Sequence, residues 1–253
     1  MRAVHRLGGS LCRCCGEACG AGFGSPAAAE PVEFCCGLCQ RAHPPFERAV
    51  AYGSYDGALR DLIHLLKFHQ IRPAAPVLGH MLADVITALE PVLPAGQITV
   101  IPVPLHAKKQ AQRGFNQAEV IARAALKDLS QGDAGRPFDV SSRVLVRSRE
   151  TGSQIGLTRH QRRQNLRGAF AIKDATAISN ATVLLVDDVY TTGATASECA
   201  RILLKAGAAR VWVATVARTM KIFNSSVLPE DSYEDGHNQE EEAASRLTMA
   251  AQG

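Results

Sequence analysis

The sequence lacks any apolar run near the roughly 20 residues that a helix needs to cross a bilayer. Its first ten residues include Arg2 and Arg6 but not the apolar segment of a secretory signal peptide. We therefore expect a cytoplasmic protein with no membrane insertion. Without an export signal, disulfides are also a poor explanation for the eight cysteines.

The chain also has few aromatic residues, 5% in all, and fewer acids than bases outside its last segment. Seven acids and one base follow Lys221, so a total formal charge of +4 leaves +10 on the first 221 residues. A basic body suits phosphorylated or polyanionic partners, although basic surfaces also occur without function. Residues 221–253 are acidic and almost without apolar periodicity, and we predict that they form a disordered tail.

Seven of the eight cysteines lie between Cys12 and Cys39. Two C-x-x-C pairs separated by a Gly-, Ala- and Pro-rich stretch have the spacing of a structural zinc site. The predicted zinc ligands are Cys12, Cys15, Cys36 and Cys39. Three more cysteines remain as spare thiols or alternative ligands: Cys14, Cys19 and Cys35. We predict a zinc-ribbon-like module in residues 1–45, in which the metal has no catalytic role.

With 253 residues, of which 46% are hydrophobic, the chain can bury one sizeable core besides this module. We predict that the main domain covers residues 46–220. Residues 49–52 read as a strand, and a helix follows with Leu59, Ile63 and Leu66 on its apolar face and Lys67 on the opposite, polar face. A second helix is predicted from Pro73 to about Leu89.

The most informative stretch is residues 183–195. Residues 183–186, Val-Leu-Leu-Val, form an unbroken apolar run, which is typical of a strand buried on both faces of a parallel sheet. Asp187 and Asp188 follow at the predicted carboxyl end of that strand. Ligands of open α/β sheets bind outside the carboxyl ends of strands, so the two acids occupy a functional position.

A hydroxyl-rich loop, residues 191–195, then leads into a helix with an apolar face that includes Cys199, read as a core residue. Thr195 and Glu198 have the spacing of a capping box, and Gly207 marks the end of the helix. Free N–H groups and a positive dipole at a helix N-terminus favour an anion. The sequence therefore predicts a phosphate site beside two acids, against the alternative of an ordinary capped turn with solvated carboxylates.

This stretch resembles the phosphoribosyl-pyrophosphate (PRPP) motif of type I phosphoribosyltransferases. The resemblance implies that Asp187 and Asp188 hold the ribose hydroxyls. It also implies that the 5-phosphate is bound by the loop residues Thr191, Thr192, Gly193, Ala194 and Thr195.

A second predicted anion site follows the apolar strand of residues 98–103. Pro104 ends this strand, and the loop after it contains Lys108, Lys109 and Arg113 before a helix capped by Asn116. In phosphoribosyltransferases a loop in this position binds pyrophosphate, and its charge here suits that role.

Residues 147–167 contain six arginines and one acid, with glycines that favour flexibility. A mobile cationic loop that includes Arg147 and Arg149 would close over a departing pyrophosphate. A groove for single-stranded DNA has the same charge, but only Phe170 lies nearby for base stacking. A solvated basic face is the third interpretation.

Several ordered motifs resemble the ComF family of amidophosphoribosyltransferase-like proteins, some of which are linked to natural transformation. They are the cysteine pairs, Pro-Val-Pro-Leu-His from Pro102, Arg-Gly-Phe-Asn-Gln from Arg113, the Arg147/Arg149/Thr151/Gln154 set, and Arg162 with Asn165 and Leu166. The resemblance covers about residues 12–218. It implies an α/β fold, a type I phosphoribosyltransferase-like parallel sheet flanked by helices.

The resemblance further implies PRPP bound with Mg²⁺, besides the structural zinc. Asp187, Asp188 and Arg113 would be the catalytic residues, and the reaction would release pyrophosphate. The acceptor is not indicated by any motif. Three hypotheses follow: a phosphoribosyltransferase, an accessory factor of DNA uptake that binds PRPP or single-stranded DNA, and a regulator that senses PRPP through a partner.

Overall fold

The structure is a computed structural model, and it describes residues 4–7, 11–19, 34–130, 136–151 and 158–220. These residues form seven strands: β1 (Ala49–Ser54), β2 (Ile98–Pro102), β3 (Phe138–Val140), β4 (Leu145–Arg147), β5 (Phe170–Ile172), β6 (Thr182–Tyr190) and β7 (Arg210–Arg218). Five of the strands form one parallel sheet in the order β1-β7-β6-β2-β3. Strands β4 and β5 form a separate antiparallel pair.

Seven α-helices are described: α1 (Gly37–Arg41), α2 (Gly57–Phe68), α3 (Ala74–Leu89), α4 (Ala107–Arg113), α5 (Gln117–Leu129), α6 (Arg159–Leu166) and α7 (Ala194–Lys205). The predicted cap of α5 is confirmed, because the side chain of Asn116 accepts the N–H of Ala118 at 3.0 Å. The parallel sheet flanked by helices confirms the predicted fold class. The predicted tail lies outside the described residues, which include no helix long and apolar enough to span a membrane.

Alternate residues of β6 pack on opposite faces of the sheet, as strand geometry requires. Val183 and Leu185 lie in one hydrophobic cluster with α7 and the cysteines, whereas Leu184 and Val186 lie in another with α2, α3 and α5. All four side chains are fully buried. The sheet is therefore covered on both faces, which explains the unbroken apolar sequence of its central strand.

Strand β6 is longer than the sequence indicated, and Asp187 and Asp188 lie within it. On one side, β6 stays paired with β7 up to Tyr190 opposite Arg218. On the other side, its pairing with β2 ends at Val186 opposite Pro102. The N–H of Val103 still donates to the carbonyl oxygen of Val186 at 2.8 Å, but Pro104 has no N–H to continue the ladder. The two acids therefore lie on the part of β6 that is paired with β7 but no longer with β2. The strand order reverses between β6 and β2, which is where ligands of such sheets bind.

The predicted capping box of α7 is wrong. The helix begins two residues earlier, with Gly193 in the left-handed region at the N-cap position and without a side-chain cap. Glu198 instead accepts the N–H of Gly168 at 3.0 Å and pairs with Arg201 at 2.7 Å. Gly207 has a φ of 106° just after the helix, which confirms the predicted end.

Two segments predicted as loops contain regular structure. Lys108, Lys109 and Arg113 lie on α4, a short helix that ends at Gly114 with a φ of 75°. Arg147 lies on β4, and α6 occupies much of the predicted mobile loop. The glycine-containing part of that loop, residues 152–157, lies outside the described residues.

Candidate functional site

Asp187 and Asp188 point to opposite faces of the sheet because they are neighbours within a strand. Asp187 lines a small cleft together with Thr191, Gly193 and Thr195 of the hydroxyl-rich loop. One of its carboxylate oxygens, Oδ1, accepts the N–H of Asp188 at 2.9 Å. Asp188 is only 4% exposed and turns toward α2.

Lys67 of α2 is the partner of Asp188. Its Nζ lies 3.0 Å from Asp188 Oδ2, and both side chains are largely buried. The prediction that Lys67 lies on the solvent-exposed face is wrong. Burial alone would lower the pKa of Lys67, but the nearby carboxylate of Asp188 outweighs it and the pKa is raised. The helical pattern could not identify this contact, which depends on how α2 packs beside the end of β6.

The pKa of Asp187 is raised to about 8. Burial is the main cause, and the charge of Asp188 adds to it. Lys67 and Arg147 act in the opposite direction but do not reverse the shift. At neutral pH the free protein therefore favours the protonated form of Asp187, in which this side chain is a hydrogen-bond donor as well as an acceptor.

The hydroxyl-rich loop leaves several polar groups available to a ligand. Gly193 has a φ of 74°, and a Cβ at this position would collide with the hydroxyl of Tyr190. No side chain in the described part of the chain caps the start of α7, so its first N–H groups face the loop. Thr192 Oγ1 is buried and makes no hydrogen bond to any described residue.

Two arginines lie close to the acids and the loop. Arg147 has a pKa lowered by burial, and the charge of Asp187 acts against that effect. Its Nη2 donates to Thr151 Oγ1, while its buried Nε has no hydrogen-bond partner among the described residues. Arg162 of α6 was absent from the predicted site, but its Nη1 lies 3.4 Å from Thr191 Oγ1 and donates to it. The sequence signals for Arg162 were the arginine-rich composition of this stretch and its place in a motif with Asn165 and Leu166, and neither gave it a role at the loop.

The other predicted pyrophosphate residues have different surroundings. Arg149 Nη2 donates to the carbonyl oxygens of Asn165 at 2.7 Å and Arg167 at 3.1 Å, which attaches α6 to the strand pair. Arg113 donates to Gln117 Oε1 and lies over the ring of Phe68. Lys108 pairs with Glu150 at 3.5 Å, and Lys109 is exposed on the same helix.

The four predicted zinc ligands come together. The sulfur atoms of Cys12, Cys15, Cys36 and Cys39 all lie within 4.8 Å of one another. Cys15 and Cys36 are 3.7 Å apart, close to the roughly 3.8 Å between two thiolates of a tetrahedral zinc site. Burial alone would raise the pKa of Cys12, but hydrogen bonds from backbone N–H groups, first that of Cys36, lower it to about 7. The donor set therefore fits zinc.

Arg218 connects this cysteine group to the hydroxyl-rich loop. Its guanidinium donates to the carbonyl oxygen of Cys15 and to Glu17 Oε2. The same guanidinium lies 4.8 Å from the centre of the Tyr190 ring, whose hydroxyl is packed against Gly193. Arg218 is only 2% exposed. The buried side chains of Arg218 and Tyr190 therefore form a continuous set of contacts from Cys15 to Gly193 of the loop.

The comparisons with known proteins agree with this fold. The phosphoribosyl transferase domain family matches residues 111–235. "DNA utilization protein YhgH" of Salmonella typhi is 33% identical over 192 residues, which cover 73% of this chain and 78% of the relative. "Competence protein F" of Haemophilus influenzae is 32% identical over 190 residues, with 72% and 78% covered. "Competence protein ComFC" of Bacillus subtilis is 28% identical over 157 residues, with 62% and 58% covered.

The first two relatives each match more than two thirds of the chain, and the family match at residues 111–235 includes the strand with the two acids. With the parallel sheet and the motifs from Pro102 to Leu166, they establish that the chain belongs to the ComF family of type I phosphoribosyltransferase-like proteins.

Proposed function

We propose that the protein binds PRPP at the carboxyl end of β6. The 5-phosphate would accept hydrogen bonds from the loop N–H groups and hydroxyls of residues 191–195, which include Thr191, Thr192 and Thr195. The observation that supports this most is the uncapped start of α7 beside the buried, unpaired hydroxyl of Thr192. A bound phosphate would satisfy both.

We assign the ribose hydroxyls to the two acids. Asp187 faces the cleft, and its proton lets it donate to one ribose oxygen while it accepts from another hydroxyl. Asp188 lies on the other face of β6, so it would contact the sugar from that side. Its charge there is compensated by Lys67. Lys67 is therefore part of the proposed site as a positioning residue for Asp188.

The pyrophosphate of PRPP would lie toward Arg147, with Arg162 at the loop and the cations Lys108, Lys109, Arg113 and Arg149 in the surrounding segments. Mg²⁺ bound with PRPP would neutralise charge on the pyrophosphate. If the protein is a transferase, Arg147 would stabilise the negative charge that develops on the leaving group. The acceptor would then displace pyrophosphate from the anomeric carbon.

The second candidate function is an accessory role in the use or uptake of DNA, as the names of the relatives suggest. The supporting observation is that two arginines are exposed here: Arg163 on α6 and Arg167 directly after it. Such cations bind phosphates with an affinity that falls steeply with salt. A PRPP-sensing regulator would have the first site without this DNA affinity.

The test is calorimetric titration of PRPP with Mg²⁺ into the zinc-loaded protein, with pyrophosphate assayed in the same samples. We expect saturable binding that is lost in Asp187→Ala, which removes both the donor and the acceptor that this carboxyl group offers the ribose. An Arg163→Ala/Arg167→Ala variant is the matched control, because it should retain PRPP binding while losing affinity for single-stranded DNA. Absence of PRPP binding in the intact protein would refute the proposal. Binding without pyrophosphate release, over a panel of acceptors, would favour the sensor or accessory role.

A further inference from the structure

A second group of metal-binding side chains lies in the cysteine-rich segment, separate from the four zinc ligands described above. It consists of Cys14, Cys35 and His43, whose ligand atoms all lie within 4.8 Å of one another. Cys14 and Cys35 each directly neighbour a residue of a C-x-x-C pair in sequence, yet their sulfur atoms belong to this different group. Two thiols and one imidazole are a donor set that zinc prefers.

His43 is oriented as a metal ligand would be. Its Nδ1 lies 3.1 Å from the carbonyl oxygen of Pro44, which can only accept a hydrogen bond. In the tautomer that donates this bond, Nε2 carries a lone pair and lies 3.7 Å from Cys14 Sγ. A sulfur and a nitrogen on one tetrahedral zinc ion are about 3.6 Å apart. Hydrogen bonding of the second ring nitrogen to a carbonyl is typical of metal-bound histidine.

The surroundings leave space for a fourth ligand. A cavity of about 250 Å³ lies beside the group, and Cys14 and His43 form part of its lining. Three arginines and one acid line the same cavity: Arg13, Arg48, Arg210 and Glu47. Three protein ligands with an adjacent cavity are the arrangement of an open zinc site, in contrast to the closed set of four cysteines.

We propose that Cys14, Cys35 and His43 bind a second Zn²⁺ ion, whose fourth position is open to water or a small anion in the arginine-lined cavity. The site holds its metal independently of the four-cysteine site, because the two groups share no ligand. Excess positive charge in the cavity favours an anion such as phosphate or a carboxylate at the fourth position.

A disulfide between Cys14 and Cys35 is the competing arrangement. Their sulfur atoms are 2.7 Å apart, so metal binding requires them to separate by roughly 1 Å. Cys35 is half-buried and precedes the short helix α1, where a shift of this size is local. A disulfide would not require the histidine, whereas a zinc ion uses all three side chains. The role of His43 therefore distinguishes the two arrangements.

The experiment is a zinc count per chain by mass spectrometry on the full-length protein, purified anaerobically without added reductant. We expect two zinc ions in the wild type and one in both His43→Ala and Cys14→Ser/Cys35→Ser. Cys19→Ser is the matched control, because it removes a neighbouring thiol outside both groups and should keep two. His43 is exposed, so its substitution should not affect folding, which circular dichroism would verify.

Substitution with Co²⁺ gives a second readout. The thiolate-to-cobalt absorption of the wild type should weaken in Cys14→Ser/Cys35→Ser and persist from the four-cysteine site. One zinc ion in the wild type, two retained in His43→Ala, or a Cys14–Cys35 disulfide mapped in the anaerobic protein would each overturn the proposal. Loss of PRPP binding with two zinc ions still present would contradict only the proposed function.

Discussion

The raised pKa of Asp187 makes the stability of the fold depend on pH. An unfolded aspartate ionises near pH 3.9, whereas folded Asp187 keeps its proton up to about pH 8. Between these values the folded state binds more protons than the unfolded state, so the free energy of unfolding falls as pH rises. We predict that Asp187→Asn is more stable than the wild type at pH 8, with a difference that shrinks toward pH 5.

Thermal unfolding from pH 5 to pH 9 checks this prediction. Asp139→Asn is the control, because that acid is exposed on β3 and far in sequence from the strand end. The charged groups that act on Asp187 are Asp188, Lys67 and Arg147, and they are unchanged in the variant. Parallel curves of unfolding temperature against pH for Asp187→Asn and the wild type would contradict the assignment.

The ion pair of Lys67 and Asp188 gives a second prediction for single residues. Removing one partner leaves the other as an uncompensated buried charge, which typically costs about 3–5 kcal/mol. We predict that Lys67→Met destabilises the protein by this order and that Lys67→Met/Asp188→Asn recovers much of the loss. Urea unfolding of the two single variants and the double variant measures the coupling free energy.

The exposed Lys205 of α7 supplies the control for that cycle, since Lys205→Met removes a charge without breaking a buried pair. Its free energy of unfolding should stay within about 0.5 kcal/mol of the wild type. If the effects of Lys67→Met and Asp188→Asn simply add, the two residues do not interact in solution.

At the scale of elements, the turn between β6 and α7 depends on one glycine. Gly193 combines a positive φ with a Tyr190 side chain that occupies the position of a Cβ. Gly193→Ala must therefore displace the ring or the loop, and we predict at least about a tenfold loss of PRPP affinity, or 1.4 kcal/mol. Calorimetry with PRPP and Mg²⁺ measures it.

Gly168→Ala separates the collision from backbone strain. Gly168 has a φ of 70°, close to that of Gly193, but its Cβ position is open within 4 Å. This variant should lose some stability and keep its PRPP affinity. Equal losses of affinity in both variants would mean that the effect comes from general destabilisation.

The elements that the sequence predicted well are those whose pattern is local. The apolar run of β6, the amphipathic face of α7 and the two C-x-x-C pairs each follow from neighbouring residues. The pairing of Lys67 with Asp188 depends on the packing of α2 on the sheet, which no periodicity encodes. The length of β6 was missed because charged residues ended the apolar run while pairing with β7 continued.

Arg147 and Arg149 illustrate the same limit. Their spacing and charge suggested two equivalent residues of one mobile loop. In the structure Arg147 is in a strand and near Asp187, whereas Arg149 binds the carbonyl oxygens at the end of α6. If β4 continued, the two side chains would lie on the same face, because residues i and i+2 of a strand do. Strand β4 ends at Arg147, so Arg149 has different neighbours.

At the scale of the whole molecule, the cysteine-rich segment and the main sheet share one core. The zinc ligands Cys12, Cys15 and Cys39 are buried in the same hydrophobic cluster as Tyr190, Cys199 and the sheet residues Val183 and Leu185. The N–H of Ala49 at the start of β1 donates to the carbonyl oxygen of Cys14 at 2.8 Å. Metal binding at the cysteines therefore contributes to the stability of the sheet as well as to its own segment.

We accordingly predict that removing zinc with a chelator lowers the unfolding temperature of the entire protein in one calorimetric transition. Since Arg218 joins the carbonyl oxygen of Cys15 to the Tyr190 ring, zinc removal should also weaken PRPP binding at the loop. Differential scanning calorimetry with and without chelator tests the first part, and PRPP titration tests the second. A separate low-temperature transition on chelation, with the main transition and PRPP affinity unchanged, would instead mean that residues 1–45 form an independent module.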